Sequence, residues 1–426
     1  MNKKPALVLF TGSFPFFSKG SLTEISFLQN EVAYLAQNFS PIIIVPNNAQ
    51  GKIFSLPSEI IIDDTYSSAI SETQSKKQII NIFRDSLLFD ELRSHPRFLF
   101  HLKIIKKLAI RSLIILETRD WVIKLFERYN LVPQNTLFYT YWLNNITLGV
   151  GMVKEIFPEI TLISRAHGGD LYAKRKQNNY YPFRPRELRL LDYLFLISEH
   201  GKNYITDLYP WVEKRCDVYR LGVRDFGTLN PGSNDDVFRI VSCSSLTKVK
   251  RVDLFVQGLA DAARKKPDRQ FGWDHFGDGT MFNEIESLSK ELIPENVVWF
   301  FHGNVPNNEI IAYYKSNPAD LFVNVSSSEG IPVTIMEAAC FGIPIMATAV
   351  GGTPEIVSSE NGLLLEPNPE IGEISTGLLH FLDKPGFQEK YKSNSRKIWQ
   401  DKFYADKNYL SFANRLLEIV TIKNDQ

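Results

Sequence analysis

The chain is short of several things, and each shortage excludes a class of protein. It has three cysteines in 426 residues, Cys216, Cys243 and Cys340, all far apart. That is too few for a disulfide framework, and no pair has metal-ligand spacing. Cys243 and Cys340 sit in apolar runs and read as buried thiols of a cytosolic protein. No apolar run approaches the roughly 20 residues that span a bilayer. The basic start, Met-Asn-Lys-Lys-Pro, leads into an apolar run only one strand long, so a signal peptide is not expected. Charge of either sign is also missing as an excess: Lys+Arg and Asp+Glu both total 48. A neutral chain gives no whole-molecule reason to bind nucleic acid. Neither a G-x-G-x-x-G run nor a Walker A run is present, which argues against nicotinamide cofactors and P-loop chemistry. No internal repeat or low-complexity tract appears.

What is present is an ordinary globular balance, 44% hydrophobic and 23% charged, on a chain long enough for two domains. The first half alternates strand-like and helix-like segments, as a parallel sheet with crossover helices requires. Ala6–Phe10 reads as a strand, followed by a polar loop holding Gly12 and Gly20. A helix over about 24–38 presents Leu28, Val32 and Leu35 on one face. Ile42–Val45, Leu137–Trp142, Thr161–Arg165, Tyr193–Ile197 and Asp217–Leu221 continue the strand series. Residues 60–130 read as less regular and mostly helical. Residues 226–236, with Gly227, Pro231, Gly232 and two aspartates, have linker composition. The pattern then restarts with strands at 238–243, 271–276, 297–301, 321–325, 345–348 and 363–365 and a helix over 252–264. The tail is helical from about Ile371.

One stretch concentrates chemistry: Ser326-Ser-Ser-Glu329-Gly330-Ile331-Pro332-Val333-Thr334-Ile-Met-Glu337-Ala-Ala-Cys-Phe-Gly342-Ile-Pro344. It follows the apolar run Leu321–Val325, which reads as a buried parallel strand. Pro332 suits the first helical turn, a helix follows over 333–341, and Gly342 with Pro344 ends it. The helix N-terminus therefore lies at the carboxyl end of a strand, where open α/β sheets bind ligands. Its N–H groups and dipole favour a phosphate there. Glu329 and Glu337 flank that anion site. Carboxylates are poor phosphate ligands but good acceptors for hydroxyl groups on either side of a diphosphate, which describes a sugar nucleotide.

Glu329 and Glu337, with seven residues between them and Gly330, Pro332 and Ala338 in place, resemble the E-x7-E motif of retaining GT-B glycosyltransferases. The segment is most similar to glycosyltransferase family 4, which includes enzymes of bacterial capsule and exopolysaccharide assembly. The resemblance implies an α/β fold of two Rossmann-like domains with a cleft between them and a last helix returning to the first domain. The domains are expected at 1–225, joined by 400–426, and at 226–399; a plain terminal helix on the second domain is the alternative. The implied activity is transfer of a sugar from a nucleoside-diphosphate sugar, a UDP-sugar first, to a glycan or lipid-linked glycan, with the anomeric configuration retained. The implied roles give Glu337 the ribose hydroxyls and Glu329 a hydroxyl of the donor sugar. Val333 and Thr334 amides meet the diphosphate, beside Gly330, Ile331 and Pro332. No cofactor and no metal are expected, since no Asp-x-Asp pair occurs in the chain.

The resemblance extends to other loops. Lys250 matches a lysine that the family places on the donor diphosphate. Ser245 stands where an arginine is usual, which removes a fork-shaped cation; Lys248 and Arg251 are candidates to compensate. His275-Phe-Gly277-Asp-Gly279 is similar to the family's glycine turn near the nucleotide. In the first domain, His167 follows a strand within Arg165-Ala-His167-Gly-Gly-Asp170, and a family histidine there faces the donor sugar and acceptor. Asp170 either orients the imidazole or caps the next helix. Tyr141 and Trp142 end a strand; they either stack on an acceptor sugar or lie in the core. Gly12 either lets backbone approach the donor or serves a turn.

Between His101 and Arg111, Lys103, Lys106 and Lys107 interleave with Leu102, Ile104, Ile105, Leu108 and Ile110. Such a helix either lies peripherally on an anionic membrane or carries a solvated basic face. The expected location is cytoplasmic, with contact to the inner membrane face as an option. Two rival functions come with the motif set. One is a sugar-nucleotide-binding or assembly protein without turnover, motivated by Ser245; the other is a sugar-nucleotide epimerase on the same fold.

Overall fold

The computed structural model describes residues 4–17, 22–74, 86–176, 179–383 and 388–424; Gly20 lies outside the described residues. The strands in chain order are β1 (Ala6–Thr11), β2 (Phe16–Phe17), β3 (Ile42–Pro46), β4 (Lys52–Ile53), β5 (Ile60–Ile62), β6 (Thr136–Thr140), β7 (Thr161–Ala166), β8 (Tyr193–Leu196), β9 (Cys216–Val218), β10 (Val237–Cys243), β11 (Gln270–Phe276), β12 (Val297–Gly303), β13 (Leu321–Asn324), β14 (Ile345–Thr348) and β15 (Gly362–Leu365). The chain forms two units: residues 1–197, 201–219 and 409–426, and residues 198–200 and 220–408.

The first unit is built on a seven-stranded sheet in the order β5-β3-β1-β6-β7-β8-β9, with every pair parallel. β1 is buried at all six residues, as a strand covered on both faces must be, which is why its sequence is apolar without alternation. On one face Val8, Phe10 and Ile43 pack with Trp121, Val122 and Leu125 of the helix Leu102–Tyr129. On the other, Leu7, Leu9 and Ile44 pack with Leu28, Val32 and Leu35, and with Phe412, Leu416, Ile419 and Val420 of the last helix, Ala405–Asn424. The second unit is a six-stranded parallel sheet, β12-β11-β10-β13-β14-β15. In both sheets strand order reverses beside the unit's first strand, β1 or β10. The carboxyl ends of β1, β6, β10 and β13 are therefore the places where loops part to admit a ligand.

The structure departs from expectation in several places. Ile60–Ile62, expected in a mostly helical region, is an edge strand paired to β3; three isoleucines are too short a run to show a period. Tyr141 and Trp142 lie just beyond β6. Pro332 is extended and precedes the helix Val333–Cys340 as its N-cap. Cys216 and Cys340 are buried, whereas Cys243 is only partly so.

Arg165 is the largest correction. It was expected on the acceptor side, but it is fully buried on β7. Its guanidinium pairs with Glu31, donates to the Tyr219 carbonyl at 3.2 Å and lies 4.2 Å from the centre of the Phe412 ring. Glu31 also accepts from the Tyr139 hydroxyl at 3.0 Å. The arginine thus ties a strand, a helix and the C-terminal helix together from inside. A buried charge left alone is costlier than a pair removed whole. Arg165→Ala and Glu31→Ala are each expected to lower unfolding free energy by about 3–5 kcal/mol. The double variant Arg165→Met/Glu31→Leu should cost less than the sum of the two, as measured by denaturant titration; additive losses would contradict the pairing.

Candidate active site

In the second unit the candidate residues converge on the carboxyl ends of β10 and β13. The loop after β13 is fixed first. The Thr348 hydroxyl donates to the Ser326 carbonyl at 2.5 Å, and Gly352 N–H donates to the Gly330 carbonyl at 2.7 Å. Gly351 has a φ of +55°, and a Cβ there would sit 1.9 Å from the Glu329 carbonyl oxygen. No other residue type fits that position, so the loop carrying Glu329 depends on it. The helix Val333–Cys340 then begins, and the Val333 and Thr334 amides find no acceptor among the described residues. Two unsatisfied N–H groups at a helix start form an anion site. Ile331 is buried beneath the loop.

Glu329 is buried, and Lys250 Nζ lies 2.5 Å from its Oε1. Asn324 adds a long contact at 3.4 Å. Burial raises the Glu329 carboxyl, but the charge and hydrogen bond of Lys250 outweigh it and hold the group below its ordinary value. The cation expected on a diphosphate and the acid expected on a sugar hydroxyl are therefore one ion pair. Glu337 differs. It is buried on the helix, accepts from the Asn307 side-chain amide at 2.8 Å, and forms no salt bridge among the described residues. Burial pushes its carboxyl up to about 7. Asn307 begins the helix Asn307–Ser316 and was not singled out in the sequence; an asparagine opening a helix ordinarily reads as a cap.

The turn after β11 closes another side. Gly277 has a φ of +138°, and a Cβ there would meet the Ser244 carbonyl at 1.9 Å. Ser244 is held from below by His275. The imidazole Nε2 lies 3.1 Å from the Ser244 carbonyl, Nδ1 lies 2.8 Å from Ser242 Oγ, and Trp273 donates to the same Oγ at 2.8 Å. Burial lowers His275 to about 4, so it is neutral and serves as scaffold. Ser245, next along, is exposed, as is Lys248. Arg251 is not available to replace the missing arginine. Its guanidinium donates to the carbonyls of Val325 at 2.7 Å, Ser326 at 2.8 Å and Pro367 at 2.9 Å.

In the first unit, His167 follows β7. Its ring is buried, lies 4.7 Å from the Tyr141 ring centre and 4.4 Å from that of Trp142, and neither nitrogen has a hydrogen-bond partner. A buried imidazole with both nitrogens unmatched is rare in a finished scaffold. Asp170 does not orient it: the carboxylate is 3.8 Å from Nδ1, too long for a hydrogen bond. Instead Asp170 accepts from the His167 amide at 2.6 Å and the Leu143 amide at 2.9 Å. Tyr141 is fully buried, which corrects its acceptor-side placement; Trp142 is partly exposed. The Gly12 amide is also engaged. Glu24 accepts from Gly12 N–H at 2.6 Å, Ser13 N–H at 2.6 Å and Phe14 N–H at 2.9 Å, and from the Trp142 indole at 2.7 Å. Glu24 was missed because its position on an amphipathic helix gives no hint of four convergent donors.

Among the described residues there is no group of three metal-ligating side chains and no helix long and apolar enough to cross a membrane.

The fold and the second-unit geometry can be set beside known proteins. The lipopolysaccharide outer core galactosyltransferase WaaB superposes with a TM-score of 0.67 over 97% of this chain and 99% of its own, at 16% identity. Anabaena Alr3699/HepE, solved with UDP and glucose, superposes with a TM-score of 0.63 over 97% and 99%, at 14% identity. The fold is accordingly GT-B. Residues 229–398 match the family model "Glycosyl transferases group 1", a stretch that lies wholly within the second unit. The O-antigen biosynthesis glycosyltransferase WbnH of Escherichia coli is 35% identical over 187 residues, 41% of this chain and 50% of its own length. The putative colanic acid biosynthesis glycosyltransferase WcaL of Escherichia coli K12 is 26% identical over 244 residues, 55% and 59%. The matched stretches span from 29% to 59% of the lengths of such curated relatives.

The raised Glu337 carboxyl has a consequence for stability. Its value moves from an ordinary 4.5 when unfolded to about 7 when folded. The folded state therefore holds a proton that the unfolded chain has released, and stability falls as pH rises through that window. Glu337→Gln removes the dependence. The variant's melting temperature should exceed that of the parent above pH 7, with the difference shrinking steadily toward pH 4.5. A difference that does not change with pH would show that Glu337 is ionised throughout.

Proposed function

We propose that this protein is a retaining, metal-independent glycosyltransferase that moves a sugar from a nucleoside-diphosphate sugar, a UDP-sugar first, to a glycan or lipid-linked glycan in polysaccharide assembly. The observation that carries the reading is the Lys250–Glu329 pair beside the unsatisfied amides of Val333 and Thr334, with Glu337 in the same helix. A diphosphate arriving at those amides offers Lys250 a stronger anion than Glu329 alone. The lysine then meets the charge that grows on the departing nucleoside diphosphate, and the carboxylate it leaves accepts a hydroxyl of the transferred sugar. Glu337 accepts the ribose hydroxyls. The transition state is oxocarbenium-like, as in glycoside hydrolysis, and neither glutamate needs to act as a nucleophile. His167, with both nitrogens unmatched, serves the sugar-transfer side from the first unit, where Trp142 supplies a ring for an acceptor sugar. Relatives named for O-antigen and colanic acid synthesis support the acceptor class.

Ser245 favours one rival, a protein that binds sugar nucleotides without turning them over, because Arg251 is fully engaged elsewhere. Labelled UDP-sugars separate the two: UDP release that requires an acceptor supports transfer, and binding without release supports the rival. Lys250→Ala should lower turnover about 100-fold, the order of losing one donor to a developing anion, with a smaller change in donor affinity. Glu337→Ala should weaken UDP binding by about 1.5–3 kcal/mol, and Glu329→Ala should leave UDP binding nearly intact. Equal losses of UDP affinity in the two glutamate variants would refute the assignment.

The second part of the proposal concerns location at the cytoplasmic membrane face. On the helix Leu102–Tyr129, Leu108 is buried, and Ile104 and Ile105 pack against a core cluster, so much of the aliphatic face points inward. Outside are Leu99, Phe100 and Leu102, the last two more than 80% exposed, and to a lesser degree Ile110, next to the exposed Lys103, Lys106 and Lys107. Each surface cation contributes about 1 kcal/mol toward anionic lipid. The protein should sediment with anionic but not neutral vesicles, less so at high salt. The combined change of the three lysines to Glu should abolish sedimentation and spare UDP binding. Failure of the parent protein to sediment at low salt would remove this part.

A further inference from the structure

Glu337 stands on the second turn of the helix Val333–Cys340, and one neutral side chain holds it. Asn307 Nδ2 donates to its Oε1 at 2.8 Å, and Oε2 takes no hydrogen bond among the described residues. Asn307 is the first residue of the helix Asn307–Ser316. It is exposed, whereas the carboxyl it holds is buried, so the donor reaches in from the surface. Two titratable groups interact with the acid from neighbouring elements, Cys243 at the end of β10 and Tyr314 on the helix Asn307–Ser316. The Tyr314 hydroxyl is not a second donor to it: that oxygen is buried and has no partner. Burial pushes both the Cys243 thiol and the Tyr314 hydroxyl well above their ordinary values, so neither changes charge near neutral pH. The strands packed against the helix, β13 and β14, carry no titratable side chain. Cations on adjoining elements are committed elsewhere. Lys250 pairs with Glu329. On the helix Gln388–Lys402, Arg396 donates to the Cys340 carbonyl and pairs with Asp225 at 2.6 Å, and Lys392 pairs with Glu389 at 3.4 Å.

A carboxyl group accepts from two hydroxyls only when it is ionised, because the neutral acid keeps one oxygen as a donor. Burial opposes the charge on Glu337 and the Asn307 amide favours it, which leaves the group at about 7. That single amide therefore does two things. It fixes the plane of the carboxyl with Oε2 left for a ligand, and it stabilises the charged form over the neutral one. Ribose hydroxyls arriving at the same carboxylate pull in the same direction. By linkage, a ligand that binds the ionised form better expels the proton, and the proton weakens that ligand by the same factor.

We propose that Asn307 is a positioning residue for nucleotide binding: it holds Glu337 ready to accept the ribose hydroxyls, and it makes uptake of the nucleotide release a proton. The inference rests on the ribose role given to Glu337 in the sugar-transfer reading. The probe is UDP, titrated into the full chain by calorimetry from about pH 5.5 to 8.5 in paired buffers of different ionisation enthalpy, which counts the protons released. The terminal phosphate of UDP itself titrates near about pH 6. It contributes alike to the parent and to Glu337→Gln, so the difference between them belongs to Glu337. Near pH 7 the parent should release about half a proton more than Glu337→Gln, and its relative affinity should fall by up to about 10-fold per pH unit below that point. Asn307→Ala should lose most affinity at neutral pH and regain much of it at the alkaline end, where Glu337 ionises without help. Asn307→Asp, of the same size, sets a second carboxylate against the first and should move the fall further up the pH scale. An Asn307 that is merely structural would cost the same affinity at every pH. If Asn307→Ala fails to fold, Asn307→Asp and the proton count of the parent carry the test. Where Glu337→Gln binds too weakly to measure, the comparison of parent with the Asn307 variants decides, since the phosphate is common to all. Equal proton release in parent and Glu337→Gln, or a loss independent of pH in the Asn307 variants, overturns this inference and leaves the sugar-nucleotide reading standing. UDP that binds at no pH overturns both.

Discussion

The second unit depends on backbone segments lying closer together than a side chain would permit. At Gly351 the loop bearing Glu329 touches the loop after β14, and at Gly277 the turn after β11 touches Ser244. Both approaches are possible only where Cβ is missing and φ is positive. They set the height at which Lys250 and Glu329 meet and the angle at which the helix Val333–Cys340 presents its amides. Beneath them lies a neutral chain of hydrogen bonds from Trp273 through Ser242 and His275 to Ser244. Rigidity there is supplied by sterics and neutral groups, which leaves the few charges at the surface of the site to respond to a ligand.

Charge is handled in opposite ways in the two units. In the first, Arg165 and Glu31 are sealed into the core with every strong partner inside the protein. This is a structural tie, and its chemistry is exhausted. In the second, Lys250 is only partly covered and its partner sits at the mouth of an anion site. Glu337 is the reverse case, an acid with no salt bridge among the described residues, held near neutrality by burial. Two carboxylates with seven residues between them thus differ because one has a lysine opposite and the other has an amide. Their roles in the proposed chemistry follow from that difference.

Much of this was legible in the sequence. The run of fully apolar strands, the restart after residue 236 and the E-x7-E stretch located both sheets and the loop that matters. What stayed hidden was information carried by partners distant in the chain. Arg165 looked like a site residue because it neighbours His167; only the fold shows that Arg165 lies within β7, enclosed by Glu31 and Phe412, while His167 lies past the strand's end. Tyr141 and Trp142 are adjacent and chemically alike, yet one is sealed and the other is partly exposed. Glu24 and Asn307 carried no local signal, since their roles exist only once Trp142 and Glu337 are brought to them. Arg251 looked like a spare cation until three carbonyl groups claimed it.

The last helix has a further consequence. Residues 409–426 belong to the first unit, and Phe412, Leu416, Ile419 and Val420 fill one face of its sheet. A chain emerging from the ribosome has made the whole of the second sheet before it makes the piece that closes the first. Through most of synthesis, the rings of Tyr139 on β6 and Phe195 on β8 that Phe412 covers lack that partner. The first-made half of the protein is therefore the last to be finished, and the nascent chain must keep an apolar sheet face protected for nearly two hundred residues of elongation.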